Sequence, residues 1–518
     1  MRNKYRYGAA AVALAAAAAG TGVWLLRTPG SPEDTARDFL AAWARQDYRT
    51  MRTLTVDPPG DFDRWYTRFR SDLKLSGAAF RVTGSDDSDD SGGSGDPTVR
   101  FRATLDGPVR WSYDGSLRVV EHERAWRVRW TPAAIHPRLG PGLRIKAVPS
   151  RPERAPILAA DGTRIDTPSA PGSVQQLVEG LADRYAARLT GSSGGRVDLV
   201  RDAERVTTLA TAGARAGRKL TTTIDLRVHR AAADAMDGVT KPASLVALRP
   251  STGEVLAVAN QPGGFNRALL GHYPPGSTFK VVTASALVAG GMTADQPVGC
   301  PAERNIGGYA FHNAGFEDFG TVPLRTAFAH SCNTTFGSLS VERLGAERLT
   351  SVAASFGFGG PVDPGVPAVR AQFPAPKDDT DLASAAIGQG RVLTSPLNMA
   401  TVAAAIADGS WRPPRLVDAA LLPAAQPRKL EPSVVRALRT LMPAVVTDGT
   451  AKGVSFPPGT AGKTGTAEFG SGKEPPTHSW FIGYRGDLAF SVIVEGAGEG
   501  AAVAAPIAAR FLNGLASP

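Results

Sequence analysis

Hydrophobic and polar positions recur along this chain in several rhythms, and each rhythm predicts a different kind of element. Gly8 to Leu26 carries no charge, and such a stretch is long enough to cross a bilayer as a helix. Arg2, Lys4 and Arg6 precede it, while the single Arg27 after it is followed by Glu33 and Asp34. That asymmetry predicts residues 1–7 inside and the bulk of the chain outside. The run is rich in alanine, and small residues around Ala15 to Gly20 leave a cleavable signal as the alternative to an uncleaved anchor. A helical rhythm follows. Ser31-Pro32-Glu33-Asp34 is a helix-start signal, and Ala36, Phe39, Leu40, Ala42 and Trp43 then recur on one face. Strand-like alternation takes over at Pro97 to Leu105, Val109 to Val120 and Trp126 to Trp130. The tryptophans are expected in the core rather than around a ligand. Gly84 to Pro97 (GSDDSDDSGGSGDP) reads as a flexible acidic loop with nothing to fix its carboxylates around a metal.

From Ala243 the pattern is a hairpin around Pro250-Ser251-Thr252-Gly253, a block of helices, strands at His478 to Tyr484 and Leu488 to Val494, and an alanine-rich helix to Leu515. Strands at both ends with helices between them predict one antiparallel sheet flanked by helices. Inside the block, Val281, Val282, Ala284, Ala286 and Leu287 run from a Pro-Pro-Gly start to Gly290-Gly291. A buried helix with a sharp beginning and end is expected there.

That helix carries the chemistry. Ser277 sits at its first turn and Lys280 three residues on, so the amine can reach the hydroxyl. Serine needs a base to become a nucleophile, and a lysine shielded from water can be neutral and accept the proton. The spacing alone proves little, since Ser71-Asp72-Leu73-Lys74 has it in a polar stretch expected to be a solvated helix face. Two further elements follow in order, Ser331-Cys332-Asn333 after a helical stretch and Lys463-Thr464-Gly465 ahead of a strand.

The ordered set Ser-x-x-Lys, Ser-x-Asn, Lys-Thr-Gly is the signature of penicillin-binding proteins and serine β-lactamases. The chain resembles a class B penicillin-binding protein, the D,D-transpeptidase that crosslinks peptidoglycan. Further likeness lies in Ala243 to Leu248 with Pro250 to Glu254, Phe265-Asn266-Arg267-Ala268, Ile387-Gly388-Gln389-Gly390, Thr394-Ser395-Pro396-Leu397 and Gly449-Thr450-Ala451. Residues 31–138, with Trp130-Thr131-Pro132 and His136-Pro137 near their end, resemble the nuclear-transport-factor-like domain of some low-affinity members. Arg154-Ala155-Pro156-Ile157-Leu158 with Asp161-Gly162 resembles the opening of the family's pedestal, or dimerisation, domain, departing from it at Ala155 and Ala160. His229 stands where relatives carry Gln and is expected to be a surface or packing residue.

The resemblance implies a multidomain α+β protein. Its parts are a transmembrane anchor (8–26), a cone-like N-terminal domain (31–138), a small pedestal (139–222) and a transpeptidase domain (223–518) with an antiparallel sheet flanked by helices. It also implies the roles. Ser277 attacks the penultimate D-Ala carbonyl of a donor stem peptide, Lys280 takes its proton, and Ser331 relays a proton to the leaving amine. Asn333 holds the substrate backbone and Lys280, Lys463 keeps the pocket positive, and Thr464 and Thr466, around Gly465, bind the terminal carboxylate that β-lactams mimic. Backbone N–H groups of Ser277 and Thr466 form the oxyanion hole. Implied partners are peptidoglycan stem peptides, β-lactams as inhibitors, the membrane through the N-terminal helix, and a membrane glycan polymerase; no cofactor or metal is implied. The implied location is the cell membrane, single-pass, with the catalytic domain extracellular.

Composition trims the alternatives. The length of 518 residues suits several domains, and 42% hydrophobic with 20% charged residues describes a globular chain. A net charge of +10 invites nucleic acid, but the arginines are scattered among acids without a basic block. The two cysteines, Cys300 and Cys332, can be paired or can be two buried thiols. A D,D-carboxypeptidase or β-lactamase-like hydrolase shares the motifs, but no Glu lies between Glu347 and Glu431 to activate water as class A β-lactamases do. A non-catalytic β-lactam sensor or scaffold would need a cytoplasmic module, and only about seven residues precede the span.

Overall fold

The computed structural model describes residues 28–86, 96–150, 152–192, 194–471 and 475–516. The expected tail and anchor (1–7, 8–26) and most of the acidic loop lie outside them. Among the described residues, no helix is long and apolar enough to cross a membrane. The chain divides into two compact units, Met1–Arg154 with Thr190–Gly217, and Ala155–Leu189 with Arg218–Pro518. Residues of the segment 139–222, read above as one pedestal, are therefore found in both.

In the first unit, α1 (Pro32–Arg45) begins where the sequence signals. Ser31 Oγ accepts the Asp34 N–H at 3.1 Å, Pro32 opens the helix, and Ala36, Phe39, Leu40, Ala42 and Trp43 are its buried face. Two more helices follow, α2 (Tyr48–Thr53) and α3 (Phe62–Leu73). Ser71 and Lys74 at the end of α3 are both exposed, so this second Ser-x-x-Lys is a wet surface. An antiparallel sheet then runs β1 (Gly77–Asp86), β2 (Thr98–Asp106), β3 (Trp111–His122), β4 (Ala125–Val128) in sequence order. The expected acidic loop starts later than its composition suggests, because Gly84 to Asp86 still pair with Arg100 to Thr98 at the end of β1. Three strands, β5 (Leu143–Ser150), β6 (Gly194–Arg201) and β7 (Glu204–Ala212), complete the unit as a second antiparallel sheet. The Arg144 guanidinium forks onto the Asp72 carboxylate at 2.6 and 2.9 Å, tying β5 to α3.

The second unit takes in α4 (Gly172–Arg184) and α5 (Leu226–Asp234) and is built around one antiparallel sheet. Its strands are β8 (Ala243–Arg249), β9 (Glu254–Gln261), β12 (Ala461–Glu468), β13 (Thr477–Arg485) and β14 (Leu488–Val494), in the order β9-β8-β14-β13-β12. Ala243 lies opposite Val494, so the first and last strands of this sheet are neighbours. Successive residues of β8 and β14 are buried, the mark of a sheet covered on both faces. The block between them supplies α6 (Lys280–Ala289), the hairpin β10 (Glu303–Ile306) and β11 (Tyr309–His312), α7 (Leu324–Ala329), α8 (Asn333–Leu339), the buried α9 (Pro396–Asp408) and α10 (Pro432–Thr447). α11 (Ala504–Ala516) closes the unit and packs on α5 and the sheet. His229 on α5 is buried with Nε2 3.1 Å from the Val258 carbonyl, a packing residue. Cys300 and Cys332 form a disulfide, with Cα atoms 6.0 Å apart.

Candidate active site

The nucleophile turn is shaped by residues that cannot do otherwise. Pro274 and Pro275 offer no N–H, and Gly276 adopts φ +53°, a left-handed conformation open to glycine. Its N–H donates to the Gly388 carbonyl at 2.9 Å, which accounts for the Gly-Gln-Gly segment at 388–390. A Cβ on Gly276 would come within 2.5 Å of the Thr466 carbonyl oxygen, so the turn lies directly against β12. Trp480 Nε1 donates to the Pro274 carbonyl at 3.1 Å, and the Tyr273 hydroxyl donates to Glu495, which Arg267 also holds at 2.9 Å. Gly276–Phe279 forms a single 3-10 turn that runs straight into α6. Lys280 begins that helix fully buried, its Nζ 3.1 Å from Ser277 Oγ.

Between α7 and α8 the chain breaks at Ser331, whose φ is +61°. A left-handed serine costs on the order of 1–3 kcal/mol, and the geometry uses that conformation. The Ser331 carbonyl accepts from Lys280 Nζ at 2.6 Å, and its hydroxyl lies 3.3 Å from Lys280 Nζ and 2.9 Å from Lys463 Nζ. Asn333 begins α8, accepts from Lys280 through Oδ1 at 2.7 Å, and donates through Nδ2 to the His312 carbonyl of β11 at 3.0 Å. Cys332, between them, is tied by the disulfide to Cys300, so both neighbours in the motif are held. The left-handed break thus puts one hydroxyl between two amines.

Lys463 projects from within β12, whereas the sequence suggested a motif ahead of a strand. Gly462 and Gly465 hid the strand, and each is there because a neighbour comes close: a Cβ on Gly465 would meet Thr278 Cγ2 at 2.7 Å and one on Gly462 the Phe481 ring at 2.3 Å. Thr464 Oγ1 lies 2.6 Å from Thr450 Oγ1, and Thr466 Oγ1 accepts the Gly500 N–H at 3.3 Å.

Charge is expensive here. Burial, joined by repulsion from Lys463, holds the Lys280 amine well below the ordinary lysine range. Burial alone pushes Lys463 down to about 7. Among the described residues no carboxylate pairs with either lysine. A neutral Lys280 accepts a proton from Ser277, and the Ser331 hydroxyl can pass one on, since it donates and accepts at once. The cluster can therefore run acyl transfer through a serine ester with no acid in it.

All five residues read as catalytic, Ser277, Lys280, Ser331, Asn333 and Lys463, meet in one connected set of contacts. Gly465 lies beneath the turn, and Thr464 and Thr466 extend along β12. Three contributors were missed. Thr450 lies in a segment noted only for its likeness, the His312 carbonyl carries no side-chain signal, and Tyr273 looked like part of the approach to the helix. Pairing of Cys300 with Cys332, left open by the sequence, ties the hairpin region to the Ser331 break.

The profile described as the penicillin binding protein transpeptidase domain matches residues 243–513, and that of the NTF2-like N-terminal transpeptidase domain matches residues 31–142. The chain is 34% identical over 349 residues to the peptidoglycan D,D-transpeptidase PbpA of Mycobacterium tuberculosis, covering 56% of this chain and 71% of that protein. It is 26% identical over 366 residues to penicillin-binding protein 3 of Bacillus subtilis, covering 61% and 53% respectively. Among solved structures, penicillin-binding protein A from Mycobacterium tuberculosis as its penicillin G acyl-enzyme complex superposes with a TM-score of 0.59 at 27% identity, over 71% of this chain and all of that one.

Proposed function

We propose, from the premise that this chain belongs to the penicillin-binding protein transpeptidase family, the following course for its D,D-transpeptidase reaction on peptidoglycan stem peptides. Ser277 Oγ attacks the carbonyl carbon of the penultimate D-Ala while its proton passes to Lys280 Nζ. The C–N bond to the terminal D-Ala breaks, its nitrogen takes a proton through the Ser331 hydroxyl, and an ester on Ser277 remains. An amine of a second stem then attacks that ester, the new amide forms, and the proton returns to Ser277. Lys463 keeps the pocket positive for the substrate carboxylate, with Thr464 and Thr466 as its donors, and the N–H groups of Ser277 and Thr466 receive the oxyanion, whose stabilisation by one such donor is worth about 3 kcal/mol. Asn333 offers its amide to the substrate backbone. β-Lactams acylate the same serine.

The observation that carries this course is the 3.1 Å approach of a buried lysine amine to Ser277 Oγ, with Ser331 Oγ 2.9 Å from the second amine. The uncharged run at residues 8–26 supports an anchor in the cell membrane with the catalytic unit outside, and an enzyme of one catalytic activity on that side implies a membrane glycan polymerase as its partner. Time-resolved mass spectrometry with penicillin, then with a thioester donor and an amine acceptor, tests the reaction. Adducts must fall on Ser277 and the acyl group must pass to the amine; transfer to water alone would make the enzyme a hydrolase.

A further inference from the structure

Beside Asn333 opens a cavity of about 520 Å³ that the reaction described so far does not fill. Tyr309 and Phe311 of the β10–β11 hairpin form one wall and Phe469 another, while Gln389 and Asn333 give it polar edges. Tyr309 is 60% exposed, a large aromatic face left to solvent. Phe469 is fixed by stacking on His478 with ring centres 4.0 Å apart. Among the described residues no lysine or arginine lines this cavity, and the one carboxylate that does is Glu468.

Glu468 is exposed at the end of β12. Strand alternation puts it on the same face as Thr464 and Thr466, each two-residue step spanning ~7 Å. Two other acids of this unit are paired, Asp381 with Arg391 and Glu495 with Arg267. Among the described residues no cation pairs with Glu468, although the chain as a whole carries a net charge of +10. The row of hydroxyl, hydroxyl and carboxylate suits a ligand with a carboxylate at one end and a cation further along. Aromatic walls suit a methylene arm leading to that cation, whose charge their faces also attract.

The reaction itself says what the cation is. Crosslinking passes the acyl group of one stem to an amine of another of the same kind, so a donor stem carries an amine too. We propose that Glu468 binds a primary ammonium on a side chain of the donor stem peptide, with Tyr309, Phe311 and Phe469 receiving its methylene arm. This makes Glu468 a specificity residue rather than a catalytic one, and it rests on the transpeptidase reading above.

The test uses the full chain and two thioester donors that differ only in a side-chain ammonium, free in one and acetylated in the other. Wild type should acylate about five-fold more efficiently from the free form, the scale of a partly exposed ion pair. Glu468→Gln should bring that ratio to about one, and Glu468→Asp should keep part of it. A second arm keeps the acetylated donor and varies the charge of the acceptor. An effect of Glu468→Gln confined to the split between aminolysis and hydrolysis would move the ammonium to the acceptor and overturn the donor assignment. Equal use of both donors by wild type overturns it without any variant. Labelling by penicillin with no acylation by either donor would instead sink the transpeptidase reading beneath it.

Discussion

Replacing Lys463 by Met should make this protein more stable and catalytically dead, and the size of the gain follows from its burial. A lysine that titrates at about 7 in the fold instead of 10.5 disfavours the folded state at pH 7 by roughly 4 kcal/mol. Methionine keeps the stem and sheds the charge. It also gives up two contacts, to Ser331 Oγ and the Thr464 carbonyl, at about 1 kcal/mol each. Lys280 gains as well, because repulsion from Lys463 helps depress it. Lys463→Met should therefore be about 2 kcal/mol or more above wild type at pH 7. The pH dependence fixes the cause. Between about 7 and 10.5 the unfolded chain binds more protons at this site than the folded one, so wild-type stability rises with pH across that window; below about 7 the penalty is present in full. Going from pH 7 to 9 should return about 2 kcal/mol to wild type relative to the variant. Urea unfolding of both proteins at the two pH values, followed by tryptophan fluorescence, measures this directly. A stability difference that stays constant from pH 7 to 9 would show that Lys463 is not held near neutrality and would refute the electrostatic account of the site.

Other expectations are simpler. Ser277→Ala should fold as wild type and take no label from a fluorescent penicillin, and persistent labelling would assign the nucleophile elsewhere. Because Lys280 is depressed well below the usual lysine range, penicillin acylation should stay fast at neutral pH and fall on acidification as Lys280 takes a proton, and it should weaken again above about 7 as Lys463 loses the charge that draws the carboxylate; a rate that rises steadily toward pH 10 would contradict a neutral Lys280 at pH 7. Opening the disulfide by Cys300→Ser releases a loop spanning 32 positions, worth about 4 kcal/mol in the chain-entropy account, so the urea midpoint should fall and reductant should lower it only in wild type. Gly276→Ala should abolish labelling, since its Cβ would press to 2.5 Å from the Thr466 carbonyl and the residue must hold φ +53°.

What the sequence revealed and what it hid divide along physical lines. Ser277 with Lys280, and Ser331 with Asn333, are legible because their distances are set within one or two turns of chain. Helix α1 is legible because Ser31, Pro32 and the buried stripe all agree. Contacts made by backbone groups are invisible to such reading, so the carbonyls of His312 and Gly388 emerged only from coordinates. β1 was missed because its burial alternates only weakly, with no residue fully buried and Arg81 in its middle. β12 was blurred by glycines that strand statistics disfavour and close packing requires. Assigning residues 139–222 to one domain followed a local motif, whereas β5 pairs with β6 and leaves α4 to the other unit.

The pairing of β8 with β14 has a consequence for how the enzyme comes into being. Ala243 and Val494 are about 250 residues apart in the chain, and contacts so remote are slow to form. A ribosome has therefore made Ser277 and Lys280 long before the strands that support them exist. Until then the apolar β8–β9 hairpin has an open edge, a template for stray association. A stop codon anywhere before residue 488 should accordingly yield aggregates rather than a weakened enzyme, and the newly made chain has no supported nucleophile until its final strand is in place.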